Sequence, residues 1–360
     1  MKRTRSQLRR NGNQRTLLCG SPFGAAIFLF VLTLRFSCLG QSSPALSVHE
    51  AVEHGLQFMR KEAFHWKSTR HCAACHHAET MIWTFNEARA RGYSVDEKAL
   101  NEITSWAFGD MKTNSLAEEA PPRNVVNLGW VYVLLSMETS PSVKLYSSKA
   151  AGVRAAEQLG SADGQANATA WHTLVQQIAN KQAPDGGWGH PLDERVPLGG
   201  PVEDIAVLCR LALLESGDSS ESVTNSISKA SEWLQHNADK TSRQNRNLRL
   251  LMNLYEKKRQ SELKPVIQAI LAEQNADGGW SQTREMTSDA YATGQTLYVL
   301  ARAGVKPKVP AMRRGVDFLV RTQRSDGSWP MISRVKAKDL SPITGAGTAW
   351  ALLGVLRASN

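Results

Sequence analysis

A seven-residue phrase occurs three times in the second half of the chain, always as Gln-x-x-Asp-Gly-(Gly or Ser)-Trp. The copies span 182–188, 274–280 and 323–329, with identical internal spacing. A phrase that returns with fixed spacing indicates structural units that bury their apolar faces against one another. The chain is therefore expected to fold as an assembly of repeated units.

Each copy closes one predicted helix and precedes another. Before each copy, apolar residues recur three and four positions apart, which predicts an amphipathic helix. Asp-Gly then ends that helix, because Gly accepts positive φ and Asp can bond the nearby backbone. After each copy comes a stretch that is apolar nearly all round, at 205–214, 292–300 and 346–356. Since such helices belong in an interior layer, the alternation predicts an all-α fold, a double-layered α/α toroid.

The phrases 315–329 and 277–280, the latter followed by 288–295, resemble the QW motif of the squalene cyclase and prenyltransferase-repeat superfamily. The resemblance covers roughly 165–358. It implies scaffold roles, in which each Gln caps adjoining helix ends and each Trp packs between neighbours. The residues concerned are Gln182, Trp188, Gln274, Trp280, Gln323 and Trp329.

The toroid is expected to span 45–358, with clear repeats over 166–358 and degenerate ones over 45–165. Residues 1–40 carry seven basic and no acidic side chains, ahead of the apolar run 24–34. This pattern predicts a secretory signal peptide and a protein exported to the periplasm or the exterior of a bacterium. An uncleaved N-terminal anchor is the alternative; after cleavage no stable membrane span is expected.

The predicted leader changes how the net charge and the cysteine count of the chain are interpreted. Without it, 36 basic residues face 33 acidic ones, so the basic pI reflects targeting and indicates no nucleic-acid partner. Of the five cysteines, three lie in the leader or in an apolar helix. The other two stand in the string His71-Cys72-Ala-Ala-Cys75-His76-His77.

The string Cys-x-x-Cys-His resembles the attachment motif of c-type haem. In that motif Cys72 and Cys75 would bind the porphyrin vinyl groups and His76 would ligate the iron. Because c-type haem is attached outside the cytoplasm in bacteria, the leader and the motif support each other. One alternative is a disulfide in an oxidising compartment. Another is zinc or a different metal, held by the thiols with His76, or with His71 or His77.

Three residues are candidates for catalysis. Asp204, Asp289 and Tyr291 stand near the starts of the more apolar helices, so they could face a central cavity. The structural alternative for the two carboxylates is helix N-capping. The initiating acid of squalene cyclases resembles Asp-x-Asp-Asp, a carboxyl kept protonated so that it can protonate an alkene. That string is absent from this chain, which weighs against polyene cyclisation.

Two functions follow. The first is an exported haem- or metal-carrying protein for electron transfer or binding, with the toroid as scaffold and a periplasmic redox partner. The second is a toroid enzyme that processes a terpenoid, an isoprenoid or a polysaccharide in a central cavity. Its partner would be an apolar small molecule in the isoprenoid case, and its cysteine pair would hold zinc or form a disulfide.

Overall fold

The computed structural model describes residues 46–69, 77–117, 126–136, 162–189, 202–237, 243–334 and 341–359. The predicted leader lies outside these ranges. Residues Pro44–Asn360 form one compact unit. Its described helices, in chain order, are α1 (Val48–Thr69), α2 (Ala78–Ala90), α3 (Glu97–Ala117), α4 (Leu128–Ser136), α5 (Ala162–Asn180), α6 (Val202–Ser216), α7 (Glu221–His236), α8 (Arg243–Tyr255), α9 (Gln260–Ala272), α10 (Ala290–Arg302), α11 (Pro310–Thr322) and α12 (Ser341–Ala358).

The even-numbered helices form a closed inner ring. Each contacts the next in the series α2, α4, α6, α8, α10 and α12, and α12 in turn contacts α2. The odd-numbered helices lie outside, against one or two inner neighbours; α1, for example, contacts both α2 and α12. The predicted all-α, double-layered toroid is confirmed.

Burial separates the two layers as the sequence pattern predicts. Ten consecutive residues of the inner helix α6, from Asp204 to Leu213, are buried, and α10 is buried from Ala290 to Leu300. The outer helix α11 buries one face only, through residues such as Met312, Val316 and Leu319. Among the helices described, none combines the length and the apolar character that crossing a membrane requires.

Each motif tryptophan forms a hydrogen bond that connects its loop to the helix before it. The indole Nε1 of Trp188 donates to the carbonyl of Ile178 at 2.8 Å, ten residues earlier. Trp280 and Trp329 repeat this bond to the equivalent carbonyls of α9 and α11. All three indoles are buried, so each loop is fixed by both a hydrogen bond and packing.

The motif glutamines join neighbouring repeats. Each side-chain Nε2 donates to the glycine carbonyl of its own motif and to a carbonyl of the next outer helix. For Gln323 that second carbonyl belongs to Ala51 in α1, so the last motif is bonded to the first helix. The outer layer is thereby linked across the junction where the ring closes.

The chain order gives the ring two distinct ends. Each outer helix leads into the following inner helix, so all the inner helices begin at one end of the ring. We call this end the mouth of the toroid. The described loop 281–289, after the second motif, connects the outer helix α9 to the inner helix α10. It therefore lies at the mouth.

Candidate functional site

A buried group of polar and aromatic side chains lies inside the inner ring, and we call it the central cluster. Every inner helix contributes at least one member, in the order α2 to α12. The members are Trp83, Tyr132, Asp204, Asn245, Tyr291 and Trp350, and all are buried. The ring therefore brings together side chains that are up to 267 positions apart in the sequence.

The aromatic members pack around Trp350. Its ring centroid lies 5.3 Å from that of Trp83 and 6.1 Å from that of Tyr291, both in edge-to-face geometry. Tyr298 of α10 adds a third edge contact at 5.8 Å. A cavity of about 10 Å³, lined in part by Trp83, Tyr132 and Trp350, remains among them. Since this volume accommodates about one water molecule, the ring is tightly packed at this depth.

Asp204 is the acidic member of the cluster. Its side chain is fully buried, and its Oδ1 accepts a hydrogen bond from Asn245 Nδ2 at 2.8 Å. The Asn245 carbonyl oxygen in turn accepts from Arg249 Nε at 2.7 Å. This chain of bonds orients the carboxyl group.

The two tyrosines of the cluster interact with Asp204. Burial, followed by the charge of Asp204, raises the pKa of Tyr132. Burial also raises the pKa of Tyr291, and Tyr132 and Asp204 add to the effect. Both phenols are therefore protonated at neutral pH, next to a buried carboxyl group. Carboxyl and phenol groups together can move a proton to or from a bound molecule.

Two buried donors of the central cluster have no hydrogen-bond partner among the described residues, namely Tyr291 Oη and Trp83 Nε1. Leaving such a donor unpaired costs about 1–3 kcal/mol. Native proteins rarely leave such groups without a partner, and a water or a ligand usually explains the exceptions. The small cavity beside Trp83 has the volume of one water molecule, the kind of partner that satisfies such a donor.

Asp289 has a different role from Asp204. It is the N-cap of α10, where its Oδ1 accepts from the backbone N–H of Ala292 at 2.8 Å. Its other oxygen accepts from Gln282 Nε2 and from the Ile332 N–H. Burial raises its pKa, although these hydrogen bonds oppose the shift. The structure therefore shows the capping role that the sequence left open.

An ionic network occupies the end opposite the mouth. Glu87, fully buried in α2, lies 2.6 Å from Arg91 and also pairs with Arg357 of α12. The Arg357 guanidinium lies over the Tyr298 ring at 5.1 Å, and that of Arg302 does so at 5.8 Å. These contacts fill that end of the inner ring, so a ligand would enter from the mouth.

The Cys-x-x-Cys-His motif, residues 72–76, lies outside the described residues, and so does His71. The calls on Cys72, Cys75, His76 and His71 therefore stay predictions. His77 is described and is fully buried at the start of α2. Its Nδ1 lies 3.2 Å from Glu62 Oε1, and its ring stacks on Trp66 with centroids 4.0 Å apart. Its Nε2 has no hydrogen-bond partner in the described part of the chain. Within those same ranges, no three His, Cys, Asp or Glu side chains come together as a metal site.

The sequence pointed to Asp204, Tyr291 and His77, but it missed their partners. Trp350 belongs to a predicted inner helix, and an aromatic residue in an all-round apolar helix was the available indication; Tyr132 lies in the region of degenerate repeats. Asn245 lies on a helix rich in charged residues and gave no such indication. Glu62 precedes Trp66 by one helical turn, and only the fold brings both against His77.

Residues 218–360 match the family model of the Squalene-hopene cyclase C-terminal domain. The C-terminal part of the chain is squalene-cyclase-like. Over 92 residues the chain is 36% identical to the probable squalene--hopene cyclase of Sinorhizobium fredii. It is 33% identical over 92 residues to the squalene--hopene cyclase of Bradyrhizobium diazoefficiens. Each alignment covers 24% of this chain and only 14% of the relative.

The chain also has weak matches among solved structures. A glycosidase variant in complex with glucose is 12% identical, with a TM-score of 0.47, and the match covers 86% of this chain and 99% of that one. The ent-copalyl diphosphate synthase of Streptomyces platensis is 15% identical, with a TM-score of 0.30 and coverage of 77% and 50%. The family match and the curated relatives support the squalene cyclase superfamily that the repeats resemble.

Proposed function

We propose that the protein is a toroid enzyme that performs acid–base chemistry on an isoprenoid-like ligand, whose double bond reaches the central cluster from the mouth. One observation carries the proposal: Asp204 is fully buried beside Tyr132 and Tyr291, inside a ring of aromatic side chains. The two curated relatives are squalene--hopene cyclases by name, which is compatible with this ligand class. The mostly aromatic surroundings suit an apolar chain better than a polysaccharide.

The proposed chemistry is a proton transfer. In its protonated form, the Asp204 carboxyl donates its proton to one carbon of a ligand double bond, whose electron pair forms the new C–H bond. The other carbon becomes a cation, which the faces of Trp83, Trp350 and Tyr132 stabilise through cation–π interactions. Loss of a proton from a neighbouring C–H bond then forms a new double bond. The carboxylate or a water molecule takes that proton, so the charge balances.

The orientation of Asp204 depends on Asn245. The hydrogen bond that Asn245 donates to Oδ1 fixes the carboxyl plane, and a positioned acid is what general acid catalysis requires. Asp-x-Asp-Asp is missing from this chain. The proposal therefore rests on one carboxyl, its amide partner and two phenols rather than on that motif.

The test compares wild-type protein with Asp204→Asn. The variant keeps the shape of the side chain but removes the acid. Both proteins are incubated with squalene and with shorter polyenes, and the extracts are analysed by gas chromatography with mass detection. We expect an isomerised product from the wild type and at least a 100-fold lower rate in the variant. Equal product yields, or no polyene bound by the wild type, would refute the proposal.

A second candidate function places a thiolate- and imidazole-bound prosthetic group at the Cys-x-x-Cys-His motif. His77 is the observation that favours it, because a fully buried imidazole with a carboxylate oxygen 3.2 Å from its Nδ1 is typical of the surroundings of a metal. Cys72, Cys75 and His76 would hold a c-type haem, or the same thiols and a histidine would hold zinc. A haem would supply one-electron transfer to a redox partner in the periplasm.

This second candidate also depends on export, because c-type haem is attached outside the cytoplasm. The protein is expressed in a bacterium that carries a cytochrome c maturation system, and its intact mass and absorption spectrum are recorded. A Soret band and the added mass of one haem would establish the haem and the export together. A colourless protein with unmodified mass would eliminate haem, and metal analysis with thiol counting would then separate zinc from a disulfide.

A further inference from the structure

We infer that Glu79 of α2 is the base that takes the proton from the ligand in the second half of the reaction at the central cluster. The inference rests on the proposed function and assigns one residue to the step that a carboxylate or a water molecule must perform. Glu79 is fully buried and lies in the first turn of α2. Its place in the ring follows from the contacts of other side chains on the same helix.

One face of α2 is directed into the ring, and Glu79 lies on it. Glu79, Trp83 and Glu87 are four positions apart, so they share one face of the helix. Trp83 packs against Trp350 of α12 with ring centroids 5.3 Å apart. Glu87 pairs with Arg357, also of α12. Since the other two members of this series face the interior of the ring, Glu79 does so as well.

Contacts with α4 define the depth of Glu79. Asn86 Nδ2 donates to the Ser136 carbonyl of α4 at 3.1 Å, so these two residues are level. Glu79 precedes Asn86 by seven positions, about two turns, so both lie on the α4 side of α2. Trp83 and Tyr132 of α4 are level too, with ring centroids 6.5 Å apart. Glu79 therefore lies beside α4, about one turn nearer the mouth than Tyr132.

Asp204 approaches Tyr132 from the other side. The helices α2, α4 and α6 are consecutive neighbours in the inner ring, so Tyr132 stands between Glu79 and Asp204. Burial, and then the charge of Asp204, raises the pKa of Tyr132, which places this carboxyl group near the phenol. Both carboxyl groups are fully buried in the first turns of their helices. The mouth end of the ring therefore holds two carboxyl groups, one on each side of a phenol.

Moving a double bond along a chain requires an acid and a base. In its protonated form, Asp204 gives its proton to one carbon, and the π electron pair forms the new C–H bond. The other carbon becomes a cation. The ionised Glu79 takes a proton from the neighbouring C–H bond, whose electron pair forms the new double bond. Asp204 ends ionised and Glu79 ends protonated, and proton exchange with water at the mouth restores both.

A second carboxyl group gives the reaction its direction. If Asp204 took back a proton from the carbon that it had protonated, the ligand would return to its starting form. Glu79 lies at a different point of the ring, so it removes a proton from a different carbon. Isomerisation therefore needs both residues, whereas exchange of a proton at one carbon needs Asp204 alone.

The experiment separates these two events. Full-length protein is incubated in deuterium oxide with squalene and with shorter polyenes. Gas chromatography with mass detection measures the isomerised product and the deuterium in the recovered polyene. Deuterium enters the recovered polyene when the acid adds it to a carbon and a hydrogen then leaves that carbon. It therefore reports the acid step without the base.

We expect Glu79→Gln to form the isomerised product at least 100-fold more slowly, with deuterium exchange within about two-fold of the wild type. Asp204→Asn should lose both signals. Asp289→Asn is the matched control, since it changes another buried carboxyl group to an amide at the start of an inner helix. Because Asn caps a helix as well as Asp does, this variant should keep both signals.

Circular dichroism melting curves establish that each variant is folded. A folded Glu79→Gln variant that isomerises the polyene as fast as the wild type would overturn the inference. An equal loss of isomerisation and exchange would also overturn it, because Glu79 would then act on the acid step. Should Glu79→Gln fail to fold, Glu79→Asp takes its place, since it keeps the carboxyl group but withdraws it by one methylene. We expect it to slow isomerisation by roughly 10-fold or more, and an unchanged rate would overturn the inference. A wild type that neither isomerises nor exchanges the polyene would refute the proposed function itself.

Discussion

At the scale of single residues, the closest approach of two inner helices depends on the absence of a side chain. A Cβ on Gly294 of α10 would collide with the carbonyl oxygen of Trp350 in α12. Likewise, a Cβ on Gly354 of α12 would lie 2.5 Å from the carbonyl oxygen of Gly294. The two helices can be this close only with glycine at both positions. Because Trp350 belongs to the central cluster, this packing also positions the site.

The first prediction follows from that contact. Gly294→Ala is expected to lower the free energy of unfolding by roughly 3 kcal/mol or more, because backbone atoms cannot move aside as a flexible side chain can. The measurement is the urea midpoint. Gly109→Ala is the control, because a Cβ there would meet nothing within 4 Å and α3 would gain helix propensity. If the two variants had equal midpoints, close packing of α10 on α12 would be refuted.

At the scale of the helices, the N-terminus of α3 shows how a cap makes stability depend on pH. Asp96 Oδ1 accepts from the Ala99 N–H at 2.9 Å, and Asp96 also pairs with Arg60 at 3.0 Å. The hydrogen bond from Ala99, assisted by Arg60 and opposed by slight burial, lowers the pKa of Asp96. A lowered folded-state pKa stabilises the protein above the unfolded value near 4, and this stabilisation is lost as pH falls through the folded value.

The second prediction concerns Asp96→Ala. At pH 7 the variant is expected to melt roughly 1–3 °C below the wild type, since it loses the cap. The difference should narrow as the pH falls from about 4, the unfolded-state pKa, through the lower folded-state pKa at which Asp96 becomes protonated in the wild type. Calorimetry over pH 2.5 to 7 is the measurement. A difference that stays constant down to the lowest pH would show that the charge of Asp96 makes no contribution.

The helices themselves could be predicted from the sequence because their signals are local. Apolar periodicity distinguished outer helices such as α11 from inner ones such as α6, and Gly92, two residues after the end of α2, has the positive φ of +80° that glycine accepts. The position of a helix around the ring is not a local property. Asp204 meets Asn245 of α8 only because α6 and α8 are neighbours in the closed inner ring. For this reason the sequence found the acid but not its partner.

The roles of the two predicted carboxylates differ for a related reason. Asp289 directly precedes α10, and a cap is decided by the few residues that follow it. Asp204 lies inside α6, so its role depends on what the other inner helices place opposite it. In the sequence, both carboxylates stand near the start of an apolar helix, so nothing there distinguished their roles. Only the assembled ring separates the structural carboxylate from the candidate acid.

At the scale of the whole molecule, closure makes every junction between repeats equivalent. Gly278 and Gly327 occupy the same position in two motifs, with φ of +89° and +86°. A Cβ on Gly278 would press on the Arg314 carbonyl of α11, and one on Gly327 would press on the His54 carbonyl of α1. The first junction lies within the chain order, and the second joins the last motif to the first described helix. The two glycines therefore form a matched pair that tests closure.

The third prediction is that Gly278→Ala and Gly327→Ala destabilise the toroid equally. Each should lower the free energy of unfolding by about 2 kcal/mol or more, from positive φ and from the clash. In an open stack of repeats, a defect at the terminal junction would release only α1, because such repeats depend on nearest neighbours. In a closed ring, α1 also contacts α2 and α12, so its loss would open the inner layer as well.

Denaturant melts monitored by tryptophan fluorescence, with hydrogen exchange of α1, distinguish the closed ring from the open stack. Equal midpoint shifts with one transition would support closure, whereas early exchange of α1 alone in Gly327→Ala would refute it.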